Sequence, residues 1–240
     1  MSKARHELRE DTFDRFADGY SGALDEAVSL SGESAEYFTQ LKIELIREML
    51  GAKSLQPGLR FLDYGCGTGR AAVWIERLFA GSDYVGVDAS RQSILYAREH
   101  VEGPRAVFMT VEEFAGQRLT PFTVALAAVV FHHIPVSERH ATVARIYELL
   151  DPGGAFFVFE HNPANPLTRR VVKSCPFDEN AELLYASEAV ALLAAAGFDR
   201  IRARYYFFFP SMLKWFRSLE RYLSWNPLGA QYAVLGWKPG

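Results

Sequence analysis

Cysteine and net charge are both scarce in this sequence. Its two cysteines are Cys66, inside a glycine-rich turn, and Cys175, far along the chain, so we expect neither a disulfide nor a metal site. Lysine and arginine together number 26 and aspartate and glutamate 29, which leaves a formal net charge of −3. Because nucleic-acid binding requires a basic surface, this balance predicts no nucleic-acid partner.

Long apolar runs are also missing. Residues 1–10 are mostly polar and lack the apolar centre of a secretory signal. No run reaches the roughly 20 apolar residues that cross a bilayer, so we predict a cytoplasmic protein. The composition, 49% apolar and 23% charged, is ordinary for a globular protein with a sizeable core, and 240 residues fit one large domain.

Hydrophobic periodicity predicts that strands and helices alternate. Residues 1–33 are polar and predict an N-terminal cap with short helices, and 34–50 predict a helix with Phe38, Leu41, Leu45 and Met49 on one stripe. The predicted strands are 59–64, 84–88, 105–110, 122–130, 155–160, 200–209 and 230–237, and further helices are predicted at 69–80, 91–100, 138–150 and 187–196. Such alternation favours a parallel sheet that is covered on both faces.

The segment 161–186 interrupts this alternation. It contains Pro163, Pro166 and Pro176, which predict a long ordered loop with a short helix near 167–174. Loops of this length in compact domains usually carry function.

An aromatic-rich block follows at 205–237, and within it a helix is predicted near 211–224 with an apolar stripe. One interpretation is a lid or core helix that closes over the pocket or over a second subunit, which allows a homodimer. The alternative is an interfacial helix that lies on a membrane and reaches a lipid-linked substrate. Only Lys214, Arg217 and Arg221 supply basic charge there, so we expect no membrane contact.

The most informative motif is Leu62-Asp-Tyr-Gly-Cys-Gly-Thr-Gly69, which joins a predicted strand to a predicted helix. Strand, glycine turn and helix form the first unit of a nucleotide-binding α/β sheet. A dinucleotide fingerprint needs glycine at position 70, where this chain has arginine. The Asp63 carboxylate would repel a pyrophosphate, whereas it would attract the ammonium and sulfonium of S-adenosylmethionine. Asp88, at the end of the next strand, suits two ribose hydroxyls as an acceptor.

This pattern resembles the class I S-adenosylmethionine-dependent methyltransferases over residues 55–160. The resemblance implies S-adenosyl-L-methionine as the cofactor, S-adenosyl-L-homocysteine as its product and a small-molecule acceptor. The implied fold is α/β: a Rossmann-like doubly wound, mostly parallel seven-stranded sheet with an antiparallel last strand, an N-terminal helical cap and a C-terminal aromatic helix insertion. One domain would span 1–240, with the cap at 1–50, the cofactor-binding core at 55–160 and the acceptor loop and C-terminal hairpin at 161–240.

The stretch that starts at Glu160-His-Asn-Pro163, with Cys175-Pro-Phe-Asp178 and Ala195-Ala-Gly-Phe198, looks like a bacterial subgroup linked to saccharide and secondary-metabolite pathways. This finer resemblance implies a reaction type and no particular substrate.

Cofactor contacts are expected at the ends of the first three strands. The predicted cofactor-binding residues are Asp63, Gly65, Cys66, Gly67, Gly69, Asp88, Ala89, Val111 and Glu112, together with Tyr20, which resembles the family's N-terminal tyrosine near the methionine carboxylate. The family often has Asp or Asn at the third strand end. Because this chain has Thr110-Val-Glu-Glu113, Glu112 or the backbone of Val111 would contact the adenine, while Glu113 is interpreted as a helix start.

Three histidines are the candidate catalytic residues. His132 and His133 follow the fourth strand, and His161 follows Glu160 at the end of the fifth. Histidine titrates near neutrality and can accept the proton of a hydroxyl. Glu160 and His161 could form a base with its orienting partner, and we prefer His161 over His132 on the substrate side. The alternative is that these rings only pack or turn the chain.

The sequence therefore predicts an enzyme that methylates a small metabolite, on a hydroxyl oxygen. One alternative keeps the reaction and changes the acceptor to a lipid-linked glycan or isoprenoid. Another is a module that binds S-adenosylmethionine without catalysis. A nicotinamide oxidoreductase is disfavoured by Arg70 and Asp63.

Overall fold

The computed structural model describes residues 32–103, 105–117, 120–175, 178 and 181–240. Residues 1–31 of the predicted cap, with the cofactor candidate Tyr20, lie outside the described residues. The described strands are β1 Arg60–Tyr64, β2 Asp83–Asp88, β3 Ala106–Thr110, β4 Phe122–Ala128, β5 Leu150–His161, β6 Asp199–Tyr206 and β7 Gln231–Trp237. The described α-helices are α1 Ala35–Leu50, α2 Arg70–Leu78, α3 Arg91–His100, α4 Val111–Ala115, α5 Val136–Leu149, α6 Pro166–Ser174, α7 Ala186–Ala195 and α8 Glu220–Leu223.

Within these residues the strands form one seven-stranded sheet in the order β3-β2-β1-β4-β5-β7-β6. The first five strands pair in parallel, and β7 runs antiparallel to both of its neighbours, β5 and β6. The predicted mostly parallel sheet with an antiparallel last strand is confirmed. The strand order reverses between β1 and β4, and in open α/β sheets this reversal opens a crevice at the carboxyl ends of the strands.

Apolar side chains fill both faces of the sheet. Helix α1 packs Phe38 and Ile46 on one face, against strand residues such as Phe61 and Phe157. The other face buries Phe156 with residues of α5 and α7. Strands that are covered on both faces need nearly continuous apolar runs, which explains the sequence of β5.

Helix α1 differs slightly from the predicted stripe. It begins after Ser34, whose hydroxyl accepts the N–H of Tyr37 at 3.1 Å. Phe38 and Leu45 are buried as predicted, but Ile43 and Ile46 are more deeply buried than either.

Two predicted strands end earlier than their apolar patterns suggest. Strand β4, predicted to reach Val130, ends at Ala128 because Val129 takes a φ of +63°, and a short 3-10 helix, Phe131–His133, follows. Strand β6, predicted to reach position 209, ends at Tyr206. Its continuation turns away at Phe207, where the Glu220 carboxylate accepts the N–H groups of residues 207, 208 and 209.

The aromatic segment is not the continuous helix that was predicted. Ser211–Leu219 is a 3-10 helix with a kink at Leu213, and the short α8 follows it. The segment buries none of its side chains, and Met212 is 84% exposed, so the prediction of a core helix is wrong. Arg217 anchors the segment by pairing with Glu33 at 2.7 Å. In the described part of the chain, no helix is both long and apolar enough to cross a bilayer.

Candidate functional site

The glycine turn after β1 lies at the reversal of the sheet. Gly65 has a φ of +85°, and a Cβ at this position would lie 2.3 Å from Cγ2 of Val130, so only glycine fits. The N–H groups of Gly65 and Cys66 both donate to the carbonyl of Val87, at 2.7 and 3.0 Å. The turn is therefore held by the end of β2 and touches the segment that follows β4.

Asp88 connects this turn to the helix after β2. Its Oδ2 accepts the N–H of Gly67 at 2.7 Å, and its Oδ1 accepts the N–H of Ser90 at 2.8 Å. Ala89 lies between these contacts and is partly buried. Because a carboxylate oxygen has two acceptor sites, Asp88 can still accept hydrogen bonds from a ligand in the crevice.

The remaining glycine and cysteine candidates support the turn. Gly67 and Gly69 also have positive φ, and the N–H of Gly69 donates to the carbonyl of Cys66 at 3.0 Å. The Cys66 sulfur packs so close to Gly86 that a Cβ on that glycine would lie only 2.8 Å from it. Burial raises the pKa of the Cys66 thiol. The thiol thus packs on β2.

Asp63 is a buried carboxylate with one unpaired oxygen. Oδ2 accepts the hydroxyl of Tyr84 at 2.6 Å, whereas Oδ1 has no hydrogen-bond partner among the described residues. Burial raises the pKa of Asp63 to about 7, against the opposing hydrogen bond from Tyr84, and the Asp88 carboxylate adds to the rise. An orphaned buried oxygen of this kind suits a cationic ligand group.

We expect a pH-dependent instability from Asp63. A pKa raised from 3.8 to about 7 means that the folded ligand-free protein holds this proton more tightly than the unfolded chain. Stability should therefore fall as pH rises from about 4 to about 7 and level off above that. Between pH 5 and pH 8, the free energy of unfolding measured in urea should fall by about 2–3 kcal/mol more in the parent than in Asp63→Asn.

The control for this experiment is Asp199→Asn, because Asp199 is exposed beside Arg200. This variant should keep the pH dependence of the parent. Parallel profiles for the parent and Asp63→Asn would mean that Asp63 ionises like an exposed aspartate.

The cofactor candidates after β3 lie at the same edge of the sheet as Asp88, the edge formed by the carboxyl ends of the strands. Thr110 at the end of β3 pairs with Asp88 at the end of β2. Val111 and Glu112 begin α4, with Val111 partly buried and Glu112 exposed. Glu113 accepts the N–H of Thr110 at 2.8 Å, and the Thr110 hydroxyl accepts the N–H of Glu113. This capping box confirms the interpretation of Glu113 as a helix start.

Lys42 on α1 is a residue that the sequence analysis missed. Burial lowers its pKa to about 8, while the Glu160 and Asp63 carboxylates oppose that shift. Lys42 is four residues from both Phe38 and Ile46, which are buried, so all three share one helix face. The sequence signal that could have identified Lys42 is a lysine on the apolar face of a helix.

The three predicted histidines come together at the ends of β4 and β5. His132 is buried, and its Nδ1 lies 2.6 Å from Oε2 of Glu160. Its Nε2 lies 3.2 Å from Oδ1 of Asp178, which is also 3.4 Å from Nε2 of His133. The ring of His161 lies 5.6 Å from that of His132.

Glu160 organises this cluster, and its partner differs from the predicted one. Its Oε1 accepts the N–H groups of Val130 and Phe131 at 2.9 and 2.6 Å, while its Oε2 faces His132. The predicted pairing with His161 is wrong, because consecutive residues of a strand point to opposite faces of the sheet.

The charges in the cluster follow from these contacts. Burial lowers the pKa of His132, but the carboxylates of Glu160 and Asp178 outweigh it and raise the pKa to about 9. Burial raises the pKa of Glu160, and the His132 cation outweighs that effect, so the carboxyl stays ionised. Burial and the same cation lower the pKa of His161 to about 4. At neutral pH, His132 is therefore charged with both nitrogens paired, and His161 is a neutral imidazole.

Comparisons with known proteins agree with this geometry. A family model described as "Methyltransferase domain" matches residues 62–156. A ubiquinone biosynthesis O-methyltransferase of Roseobacter denitrificans is 28% identical over 214 residues, which are 84% of this chain and 82% of that protein. An uncharacterized methyltransferase of Synechocystis sp. is 26% identical over 186 residues, 75% of this chain and 81% of that one.

A solved structure of an S-adenosylmethionine-dependent methyltransferase from Thermotoga maritima shares the fold, with a TM-score of 0.62 at 22% identity over 96% of this chain and 99% of that chain. The chain contains a methyltransferase domain, and its fold is that of the class I, S-adenosylmethionine-dependent methyltransferases. Its cofactor is S-adenosylmethionine, and the unpaired Oδ1 of Asp63 is compatible with the ammonium group of that molecule. In this methyltransferase the glycine turn and the histidine cluster are neighbours, since Gly65 contacts Val130, two residues before His132.

Proposed function

We propose that the methyltransferase methylates a hydroxyl oxygen of a small molecule. The observation that carries this proposal is the position of His161, whose ring lies 5.6 Å from that of His132, beside the His132–Glu160 pair at the carboxyl ends of β4 and β5. That rim adjoins the glycine turn through the contact between Gly65 and Val130. A proton acceptor next to the cofactor crevice is what a hydroxyl acceptor needs and an amine acceptor can do without.

The cofactor side would be built from the ends of β1, β2 and β3. Bound S-adenosylmethionine supplies a methyl group that is bonded to a sulfonium. The sulfur leaves as a neutral thioether, so the leaving group needs no proton. Asp63 would accept the ammonium through Oδ1, and Asp88 would accept the two ribose hydroxyls. Val111 and Glu112 would contact the adenine, while Gly65, Cys66, Gly67, Gly69 and Ala89 would shape the turn. Residues 1–240 would act as one domain, with Tyr20 in its cap.

His161 would serve as the base. As the acceptor oxygen bonds to the methyl carbon, the bond from that carbon to the cofactor sulfur would break and its electron pair would stay on sulfur, while the hydroxyl proton would pass to the imidazole of His161. Orientation of the acceptor would supply most of the rate enhancement, by lowering the barrier on the order of 7–11 kcal/mol. His132, with both nitrogens engaged by carboxylates, would hold the cluster in place and transfer no proton in this step.

One relative supports an oxygen acceptor. The Roseobacter denitrificans protein that covers 84% of this chain is named an O-methyltransferase of ubiquinone biosynthesis. The name concerns that protein, and at 28% identity it favours the class of acceptor atom without naming the molecule.

Matched acceptors test the acceptor atom. The parent protein is incubated with S-adenosylmethionine and with a phenol, aniline or thiophenol of the same skeleton, and products are read by mass spectrometry. We expect a mass gain of one methyl on the phenol only. Methylation of the aniline alone would overturn the oxygen assignment while leaving the enzyme class intact.

Replacing His161 by alanine should lower turnover by about 100-fold or more, because a positioned base contributes about 10²–10⁴. Affinity for S-adenosylhomocysteine, measured by calorimetry, should stay within about threefold. His100→Ala is the control, since His100 lies at the end of α3 and stacks on Tyr96. Unchanged turnover in His161→Ala would show that positioning alone suffices.

A lipid-tailed acceptor is the second candidate, favoured by exposed apolar side chains between β6 and β7. Trp215 is 77% exposed and Leu228 is also exposed. Asn165, which caps α6, donates from its side-chain amide to the carbonyl of Leu228 at 2.7 Å. A phenol that carries an isoprenoid tail should then be methylated with a lower KM than the same phenol without the tail.

A further inference from the structure

His132, His133 and Asp178 place three metal-binding atoms together. The candidate ligand atoms of the three residues all lie within 4.8 Å of one another. Asp178 Oδ1 lies 3.2 Å from Nε2 of His132 and 3.4 Å from Nε2 of His133. Ligands that bind one Zn²⁺ tetrahedrally at about 2.0–2.2 Å are separated by about 3.3–3.6 Å, so the two separations from Asp178 are close to those around a shared ion.

From this arrangement we propose that His132, His133 and Asp178 bind a divalent transition-metal ion at the acceptor rim. Two imidazoles and one carboxylate suit Zn²⁺, and the same donor types accept Fe²⁺ or Mn²⁺. Three protein ligands leave coordination positions open, as in catalytic rather than structural metal sites.

Glu160 supplies the second observation. Metal-binding histidines almost always donate their other ring N–H to a carboxylate or carbonyl. His132 has this arrangement, because Nδ1 lies 2.6 Å from the buried Glu160 carboxylate, which leaves Nε2 directed at Asp178. Glu160 is itself fixed by the N–H groups of Val130 and Phe131.

The site is reachable from outside the protein. The side chain of His133 is 23% exposed and that of Asp178 10%, whereas His132 is fully buried. An open coordination position on the His133 side would face the acceptor. If the acceptor carries a hydroxyl, which rests on the proposed function, the ion would hold that oxygen and ease loss of its proton toward His161.

The two separated cysteines predicted no metal site, and Asp178 lies far along the chain from the paired histidines. The fold nevertheless places the Asp178 carboxylate beside both histidines after β4.

Titration of the chelator-treated, tag-free full chain with Co²⁺ tests the proposal, followed by competition with Zn²⁺. We expect one equivalent of Co²⁺ with absorption bands of a protein-bound ion. His133→Ala and Asp178→Asn should each weaken Co²⁺ binding at least tenfold. Glu160→Gln, which keeps all three ligands, should weaken it by about 10- to 100-fold. His140→Ala, an exposed histidine on α5, should bind Co²⁺ like the parent.

Calorimetry with S-adenosylhomocysteine accompanies each variant, so a folding defect is separated from a lost ligand. Equal Co²⁺ affinity in the parent, His133→Ala and Asp178→Asn would overturn the metal site. So would a parent spectrum identical to that of aqueous Co²⁺. Neither readout uses methyl transfer, so methylation of an amine would overturn the proposed function and leave the metal result standing.

Discussion

Replacing Asp88 by alanine should weaken S-adenosylhomocysteine binding by about 10- to 100-fold, because hydrogen bonds to a charged acceptor contribute about 1.5–3 kcal/mol each. The carboxylate has two tasks at once. It would accept the ribose hydroxyls, and it holds the N–H of Gly67 at 2.7 Å and that of Ser90 at 2.8 Å. Its removal takes away a ligand contact and releases the turn. Calorimetry at constant pH and salt measures the change.

Asp83 offers a matched control on the same strand. It lies at the opposite end of β2, where it pairs with Arg105 at 3.2 Å. Asp83→Ala should bind S-adenosylhomocysteine as the parent does, since an exposed ion pair contributes little and lies away from the crevice. If Asp88→Ala retains parental affinity, the ribose is not bound at the end of β2.

Replacing Glu160 by alanine should destabilise the protein by about 3–5 kcal/mol, because it leaves the His132 cation buried without its main partner. The same change orphans the N–H groups of Val130 and Phe131. It also loosens a strained turn, since Val129 is β-branched and has a φ of +63°. Urea unfolding of the ligand-free protein gives the free energy.

Activity should fall together with that stability, and Glu160→Gln separates the two effects. The glutamine keeps an oxygen for the two backbone N–H groups but no longer offers a carboxylate to His132. We expect it to recover much of the stability while turnover stays about 100-fold low, since preorganised groups of this kind typically carry 10²–10³ in rate. Glu148→Ala, at an exposed pair with Arg145, should change stability by less than about 0.5 kcal/mol. Full turnover in Glu160→Gln would mean that the ion pair only supports the fold.

The glycine turn and the carboxylates beside it were accessible from the sequence because their geometry is local. Asp63, the glycine turn and Asp88 all belong to one strand-turn-helix-strand unit. Positive φ angles at Gly65, Gly67 and Gly69 are what glycines in a tight turn predict. The parallel sheet was predictable for the same reason, since strands that are buried on both faces and alternate with helices leave few other arrangements.

The contacts of the histidine cluster could be found only from the tertiary structure. Adjacent histidines indicated a site after β4, but local sequence did not indicate that Glu160 pairs with His132 or that Asp178 faces both histidines. These contacts join residues that are 28 and 46 positions apart, so they depend on the pairing of β4 with β5 and on where the fold places Asp178.

The same distinction explains the other differences from prediction. Apolar periodicity extended β6 to position 209, whereas Glu220 captures the N–H groups of three residues and turns the chain after Tyr206. Lys42 lies in an apolar stripe, but only the packing of α1 brings its charge near Asp63 and Glu160. The sequence by itself therefore determined the α/β architecture and the cofactor turn, because local backbone preferences and alternating burial specify both. Tertiary packing decided the charge and partners of the acceptor rim, because buried polar groups satisfy one another across long sequence separations.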